Sequence, residues 1–237
     1  MELRRFYVNK SDIDGDKVTV TGNEYRHMTG VLRFKVGYQA IVCDNSGNDL
    51  YCTVTAIDKN SATLAVDEIK RNDVELPYDL TLCCGLIKPE KLEIEVQKAV
   101  EIGVKTIRPF ISRNTSEKSV RLDRLERIVL EACKQCGRAV LPTVQPVVAF
   151  GDLFKQDADY YMAYEREDKR LLRDVLKAPT DKPIALIIGS EGGFTAEEAE
   201  TARKYGATLF SLGKRIMRAE TAAIVALGTI CALTEEL

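Results

Sequence analysis

One histidine in 237 residues leaves little room for imidazole chemistry. A Ser-His-Asp relay or a multi-histidine metal site would have to be built on His27 alone. His27 lies in the polar run Glu24-Tyr25-Arg26-His27-Met28, read as a short helix, so it is assigned a non-catalytic place and no metal site is expected. Long apolar runs are missing too: none approaches the roughly 18 residues of a membrane span, and Met1 to Phe6 has no apolar core of the kind that marks a secretory leader. Neither sign of charge is in excess. The 34 Lys and Arg against 36 Asp and Glu give a net charge of −2, which excludes a bulk polycation that coats nucleic acid but leaves room for a local basic patch. Seven cysteines, an odd number placed mostly in apolar runs, read as reduced, buried thiols of a cytoplasmic protein. Cys133 and Cys136 have CxxC spacing, but no second pair accompanies them. They fall at i and i+3 on the apolar face of a helix, where packing is the better reading. Two phosphate-binding signatures are also absent. There is no G-x-x-x-x-G-K-[ST] and no G-x-G-x-x-G after the first strand, which argues against a P-loop hydrolase and a dinucleotide-binding domain.

What is present divides at about residue 72. The first part holds short β-branched segments, Phe6 to Val8, Lys17 to Thr21, Tyr38 to Asp44, Leu50 to Asp58 and Ala62 to Ile69. Turn signals such as Asp14-Gly15-Asp16 and Asn45-Ser46-Gly47 separate them. Strands so short and close predict a small β-barrel, interrupted by one helix over about Glu24 to Leu32. A polar stretch ending in Pro77 marks the boundary between domains 1–72 and 73–237. Beyond it the rhythm alternates. Leu80 to Ile87, Val104 to Ile111, Tyr160 to Tyr164, Ile184 to Ile188 and Ala207 to Leu212 read as strands. Leu92, Val96, Ala99 and Val100 mark a helix closed by Gly103, and Leu122 to Cys136 one closed by Gly137. Thr195 and Glu198 form a T-x-x-E capping box, and Ala219 to Glu236 is an Ala-rich last helix. The pattern predicts an α/β domain with a mostly parallel sheet.

Two glycine-containing loops sit between a strand and a helix, where open α/β sheets bind ligands. The first is Ile188-Gly189-Ser190-Glu191-Gly192-Gly193-Phe194. The second is Ser211-Leu212-Gly213-Lys214-Arg215-Ile216-Met217-Arg218-Ala219-Glu220-Thr221. Each taken alone could be an ordinary turn. The apolar pair Ile216-Met217 between two arginines suits a neutral, adenine-like group better than a bare polyphosphate. Arg218 opens the final helix, where a cation opposes the helix dipole; a residue placed there against preference has a partner or a function. A second basic region runs from Lys105 to Arg127, with seven Lys or Arg against three acids. With Arg4-Arg5 and Arg26 to Lys35 it forms a candidate track for phosphates. Solvated helix charge is the alternative.

Five segments together resemble a known family: Arg4-Arg5-Phe6-Tyr7-Val8, Ser112-Arg113-Asn114-Thr115-Ser116-Glu117, Glu131-Ala132-Cys133-Lys134-Gln135-Cys136-Gly137-Arg138, Ile188 to Phe194 and Leu212 to Ala222. In order and spacing over essentially the whole chain they resemble the RsmE family, 16S ribosomal RNA uracil-N3 methyltransferases of the SPOUT superfamily. Ser190 stands where that family usually has proline, and Cys136 where serine is common. The resemblance implies a PUA-like barrel for RNA followed by an α/β methyltransferase domain with a trefoil knot, which periodicity does not reveal and which the general prior disfavours. It further implies a homodimer acting on 16S rRNA or the assembled small subunit, with S-adenosylmethionine (SAM) as cofactor. The expected SAM contacts are Met162, Ile188, Gly189, Glu191, Gly192, Gly193, Ser211, Leu212, Gly213, Ile216 and Met217. Arg218 and Glu220 are the candidate catalytic pair. Arg4, Arg5, Arg26, Arg33 and Arg113 are the candidate RNA contacts. Two other functions stay open on the sequence: a non-catalytic RNA-binding or ribosome-assembly protein on the same fold, and a SPOUT tRNA ribose methyltransferase.

Overall fold

The computed structural model describes residues 3–176, 182–234 and 236. Two compact units are formed, Met1–Glu75 with Cys133–Leu141, and Leu76–Ala132 with Pro142–Leu237. The return of residues 133–141 to the first unit has no sequence signal, because it depends on polar contacts made far along the chain.

The first unit is built on β1 (Arg4–Tyr7), β2 (Ile13–Asp14), β3 (Lys17–Thr21), β4 (Gln39–Cys43), β5 (Asn48–Ile57) and β6 (Ser61–Arg71). They form one sheet in the order β1-β4-β5-β6-β3-β2, antiparallel except for the β1–β4 pair. Period-2 alternation sets its faces. In β3, Val18 and Val20 are buried while Lys17, Thr19 and Thr21 are exposed. The inward residues of five strands, Phe6, Val20, Val42, Leu50 and Leu64 among them, meet Met28 in a single core. The expected helix over Glu24 to Leu32 is instead α1 (Gly22–Arg26) followed by a wider π-helical turn over His27–Val31. This turn carries Met28 into the core, with no exposed surface. His27 packs edge-on against Phe6 at 6.2 Å between ring centroids, as a core neighbour.

One polar network ties the unit together. Arg5 forms a two-pronged ion pair with Asp49, both side chains about nine-tenths buried. Asn72 Nδ2 donates to both Asp49 oxygens at 3.1 Å and to the Gly137 carbonyl at 3.0 Å. Burial alone would raise the Asp49 carboxyl, but the hydrogen bonds from Arg5 and Asn72 outweigh it and hold the group below its ordinary value. Nearby, Tyr7 donates its hydroxyl to the Arg138 carbonyl, and Arg138 pairs with Glu75 through both guanidinium arms.

The second unit is a parallel sheet in the order β10-β8-β7-β12-β11-β13, with β9 paired to β8. The strands are β7 (Leu80–Gly85), β8 (Thr106–Ile111), β9 (Thr143–Val144), β10 (Val148–Ala149), β11 (Asp159–Ala163), β12 (Ile184–Ile188) and β13 (Thr208–Phe210). β12 is buried at every position, as a central parallel strand requires. The helices are α2 (Pro89–Ile102), α3 (Leu122–Cys136, of which the part up to Ala132 belongs to this unit), α4 (Leu172–Val175), α5 (Ala196–Lys204) and α6 (Ala219–Leu233). Pro89 sits in the first turn of α2, and Gly103 ends it at φ 112, the left-handed cap that glycine adopts freely. The α5 capping box is made in full, with Glu198 N donating to Thr195 Oγ1 at 3.2 Å and Thr195 N to Glu198 Oε2 at 2.9 Å. α2 packs along α6, and on the other sheet face Phe110, Phe150, Met162, Ile187 and Phe194 form a core. β9, β10, α4 and a 3-10 turn over Phe150–Lys155 are too short to announce themselves in the sequence. All seven cysteines are free thiols, and all but Cys136 are buried.

The Arg5–Asp49 pair is expected to be a main stabilising contact of the first unit. Asp49→Ala leaves a buried guanidinium unpaired and should cost about 3–5 kcal/mol in urea denaturation. The pair's contribution is present above the unfolded carboxylate pKa. It is lost as pH falls through the lowered native value.

Candidate cofactor pocket and exposed arginines

The strand order places a switch point in the second sheet: from β7 the chain builds outward to β8 and later returns to β12 on the other side. Beyond the carboxyl ends of β11, β12 and β13 lies a cavity of about 460 Å³, a volume in the range of small-molecule sites. Three segments line it: Ala163 to Glu165 after β11, Ile188 to Phe194 after β12, and Ser211 to Ala219 after β13, with Ala222 of α6 completing the wall.

Each loop has a local reason for its shape. After β12, Gly193 N donates to the Ser190 carbonyl at 2.9 Å and closes a tight turn. A Cβ on Gly189 would lie 2.8 Å from the Phe194 ring, and one on Gly192 would lie 2.6 Å from the Asn114 carbonyl oxygen. Any larger residue would force the turn off its seat. After β13, Gly213 N donates to Ser211 Oγ at 3.2 Å, and Gly213 holds φ at +109. Nothing lies within 4 Å of where its Cβ would be, so a side chain there meets open space beside the pocket.

Ten of the eleven residues expected to touch the cofactor line this cavity: Ile188, Gly189, Glu191, Gly192, Gly193, Ser211, Leu212, Gly213, Ile216 and Met217. Met162 does not. It is fully buried in the core on one face of β11, and Ala163, the next residue, reaches the wall instead. Ile216 is 89% exposed, an apolar side chain standing in water at the rim. The glycine-lined walls, the apolar rim and the volume fit a nucleoside-bearing ligand such as SAM. The third wall, Ala163-Tyr164-Glu165, was missed; the rule that ligands gather at strand carboxyl ends would have found it.

Arg218 caps α6 and lines the cavity. Among the described residues its side chain forms no salt bridge or hydrogen bond, so neither Glu191 nor Glu220 is its ion-pair partner. Glu220 lies in the first turn of α6, half-buried and outside the cavity wall, with Oε2 buried and unpartnered. Beneath it is a residue the sequence reading passed over. Glu95 of α2 is 1% exposed, and among the described residues neither of its carboxyl oxygens has a hydrogen-bond partner. Burial first, then the charges of Glu220 and Glu191, push its carboxyl up to about 8. Cys84 of β7 adjoins it, and its thiol is raised by burial and by Glu95. The signal was available: Glu95 interrupts the Leu92, Val96, Ala99 face of α2. Glu191 is the member of the group nearest a cation, with Lys91 Nζ at 3.7 Å.

Of the five expected RNA contacts, Arg4, Arg26, Arg33 and Arg113 are exposed. Arg33 is held at φ 55. Arg26 Nη2 donates to Asn23 Oδ1 at 2.5 Å. Arg5 is a correction: its guanidinium is only 8% exposed and is committed to Asp49, so it has no surface to offer a phosphate. Alternation along β1 puts Arg5 on the face opposite Phe6, where it meets the buried carboxylate, while Arg4 is exposed at the start of the strand; the doublet in the sequence does not distinguish the two.

Similarity to known proteins agrees with this geometry. Residues 74–231 match the family described as RNA methyltransferase domain, and residues 20–67 the family described as RNA methyltransferase PUA domain. Ribosomal RNA small subunit methyltransferase E of Rickettsia conorii is 30% identical over 97% of this chain and 96% of its own. The protein of the same name in Bacillus subtilis is 30% identical over 98% of each. A Neisseria gonorrhoeae structure of that name, bound to SAM, superposes with a TM-score of 0.87 at 29% identity over 98% of both chains. A Legionella pneumophila methyltransferase in complex with SAM gives 0.88 at 26% identity over 99% of both.

The native protein keeps a proton on Glu95 between about pH 4.5 and pH 8, a window in which the unfolded chain has lost it. Wild-type stability should therefore fall as pH rises through that window, by up to roughly 1.4 kcal/mol per unit. Glu95→Gln, a neutral stand-in, should escape the fall, as urea denaturation at several pH values in the window would show.

Proposed function

The chain belongs to the ribosomal RNA small subunit methyltransferase E family, and from that premise we propose that it methylates N3 of one uridine in 16S rRNA, using SAM. In this reading residues 1–72 recognise RNA, residues 73–237 carry the chemistry, and the protein works as a cytoplasmic homodimer. The observation that carries it is Arg218, a cation unpaired among the described residues, on the wall of a glycine-cradled cavity. The absence of a membrane-crossing helix among the described residues is compatible with this reading.

When bound, SAM supplies a methyl group on an already activated sulfonium. The work left to the protein is alignment and control of one proton. The glycine turn and the Ser211 to Met217 loop hold the cofactor, with Ile216 and Met217 against its adenine. A uridine N3 inside a duplex is engaged in pairing, so the target base enters unpaired or flipped out. Its carbonyl oxygens gain negative charge as the N3 proton leaves, and the Arg218 guanidinium offsets that charge at the pocket mouth. Glu191, which lines the cavity, accepts the proton; Glu220, the other candidate, stands outside the cavity wall. Arg4, Arg26, Arg33 and Arg113 hold phosphates.

Arg218→Ala should bind SAM and RNA nearly as the wild type does, yet transfer methyl about 10²–10³-fold more slowly under single-turnover conditions. Loss of SAM affinity or of thermal stability in proportion to rate would assign Arg218 a structural role instead.

Charge removal at Arg26, Arg33 or Arg113 should weaken RNA binding and lower the salt slope of log K by about one for each lost phosphate contact, with SAM affinity intact. Arg5→Gln, by contrast, should appear in unfolding curves as lost stability. An unchanged salt slope in the surface variants would return these arginines to ordinary surface charge.

A further inference from the structure

The loop after β8 is tied to the glycine turn more closely than a surface loop needs to be. Asn114 Nδ2 donates to the Gly192 carbonyl at 3.0 Å and reaches the Gly193 carbonyl at 3.5 Å. The two backbones approach so closely that Gly192 has no room for a Cβ against Asn114. One residue earlier, Arg113 N donates to Glu198 Oε1 at 2.8 Å, and the other oxygen of the same carboxylate caps α5. The loop is also stiff from within. Ser112 N donates to Thr115 Oγ1 at 3.0 Å, and Lys118 Nζ donates to the Thr115 carbonyl at 2.9 Å. With its backbone fixed in this way, Arg113 presents an exposed guanidinium that forms no salt bridge among the described residues, although Glu197 feels its charge.

We propose that Asn114 is a positioning residue, a latch through which a phosphate held by Arg113 and a cofactor seated on the glycine turn strengthen each other's binding. The inference rests on the reading of Arg113 and of the turn given under Proposed function. Restraining the loop at Arg113 restrains the turn carbonyls that Asn114 holds. The turn then loses less freedom when the cofactor orders it. Linkage makes the effect mutual: the factor by which RNA tightens SAM is the factor by which SAM tightens RNA.

The test is calorimetric measurement of SAM affinity on the full chain, alone and with a saturating 16S rRNA transcript. For the wild type, RNA should lower the SAM dissociation constant by about 5-fold. Asn114→Ala should raise it about 3–10-fold without RNA, and RNA should no longer change it. Asn114→Asp, which keeps the shape and loses the donor, should behave the same, with melting curves showing that both variants fold. A wild type with no RNA-induced change, or variants that keep the full RNA-induced factor, would overturn the latch. Failure of the underlying reading looks different. Gly213→Val with wild-type SAM affinity would move the cofactor off the loops, and Arg113→Gln with unchanged RNA affinity would remove the phosphate contact.

Discussion

The turn Gly189-Ser190-Glu191-Gly192-Gly193 can exist only where side chains are missing, and the second unit is arranged around that shortage of space. The Phe194 ring lies against Gly189, Asn114 against Gly192, and Glu165 against Gly193. Gly85, at the end of β7, meets the same turn from another side; a Cβ there would be 2.5 Å from Ser190 N. Four segments far apart in sequence therefore agree on one backbone path. The cavity beside it inherits its shape from that agreement and not from any one loop.

Close packing of this kind fixes geometry, and charges left without partners give the geometry chemical potential. Arg218 opens α6 against the helix dipole, and among the described residues no acid holds it. Glu95, buried without a hydrogen bond beside two other carboxylates, keeps its proton near neutral pH. Natural structures satisfy most buried polar groups, so unsatisfied ones gathered at one end of a sheet are a physical mark of a site. The first unit shows the opposite practice. Arg5 and Asn72 both bond Asp49, Asn72 also reaches the Gly137 carbonyl, and the result is a structural joint.

Much of this was legible in advance, for reasons that can be named. Thr195 and Glu198 cap α5 as their spacing required, because a capping box is closed within four residues. The two glycine loops lie at strand ends as read, because a parallel strand followed by a helix leaves only that place for a turn. The continuous run Leu80 to Ile87 holds the strand β7 and is buried throughout except at Thr81, as its hydrophobicity implied. Arg5 could not be separated from Arg4 in this way. Their sequence environment is shared, and only the pairing of β1 with β4, and of β4 with β5, decides which of the two faces Asp49.

The sequence by itself thus determined what is local or periodic: the alternation of strands and helices, the caps, the glycine loops and the basic segments. Tertiary structure alone decided which charges are free. Whether an arginine meets a phosphate or a buried carboxylate depends on what the fold brings within 4 Å from tens of residues away, as Asp49 is brought to Arg5 and Gly192 to Asn114. Coulomb and hydrogen-bond energies are set by that distance and by burial, and neither quantity exists until the chain has folded.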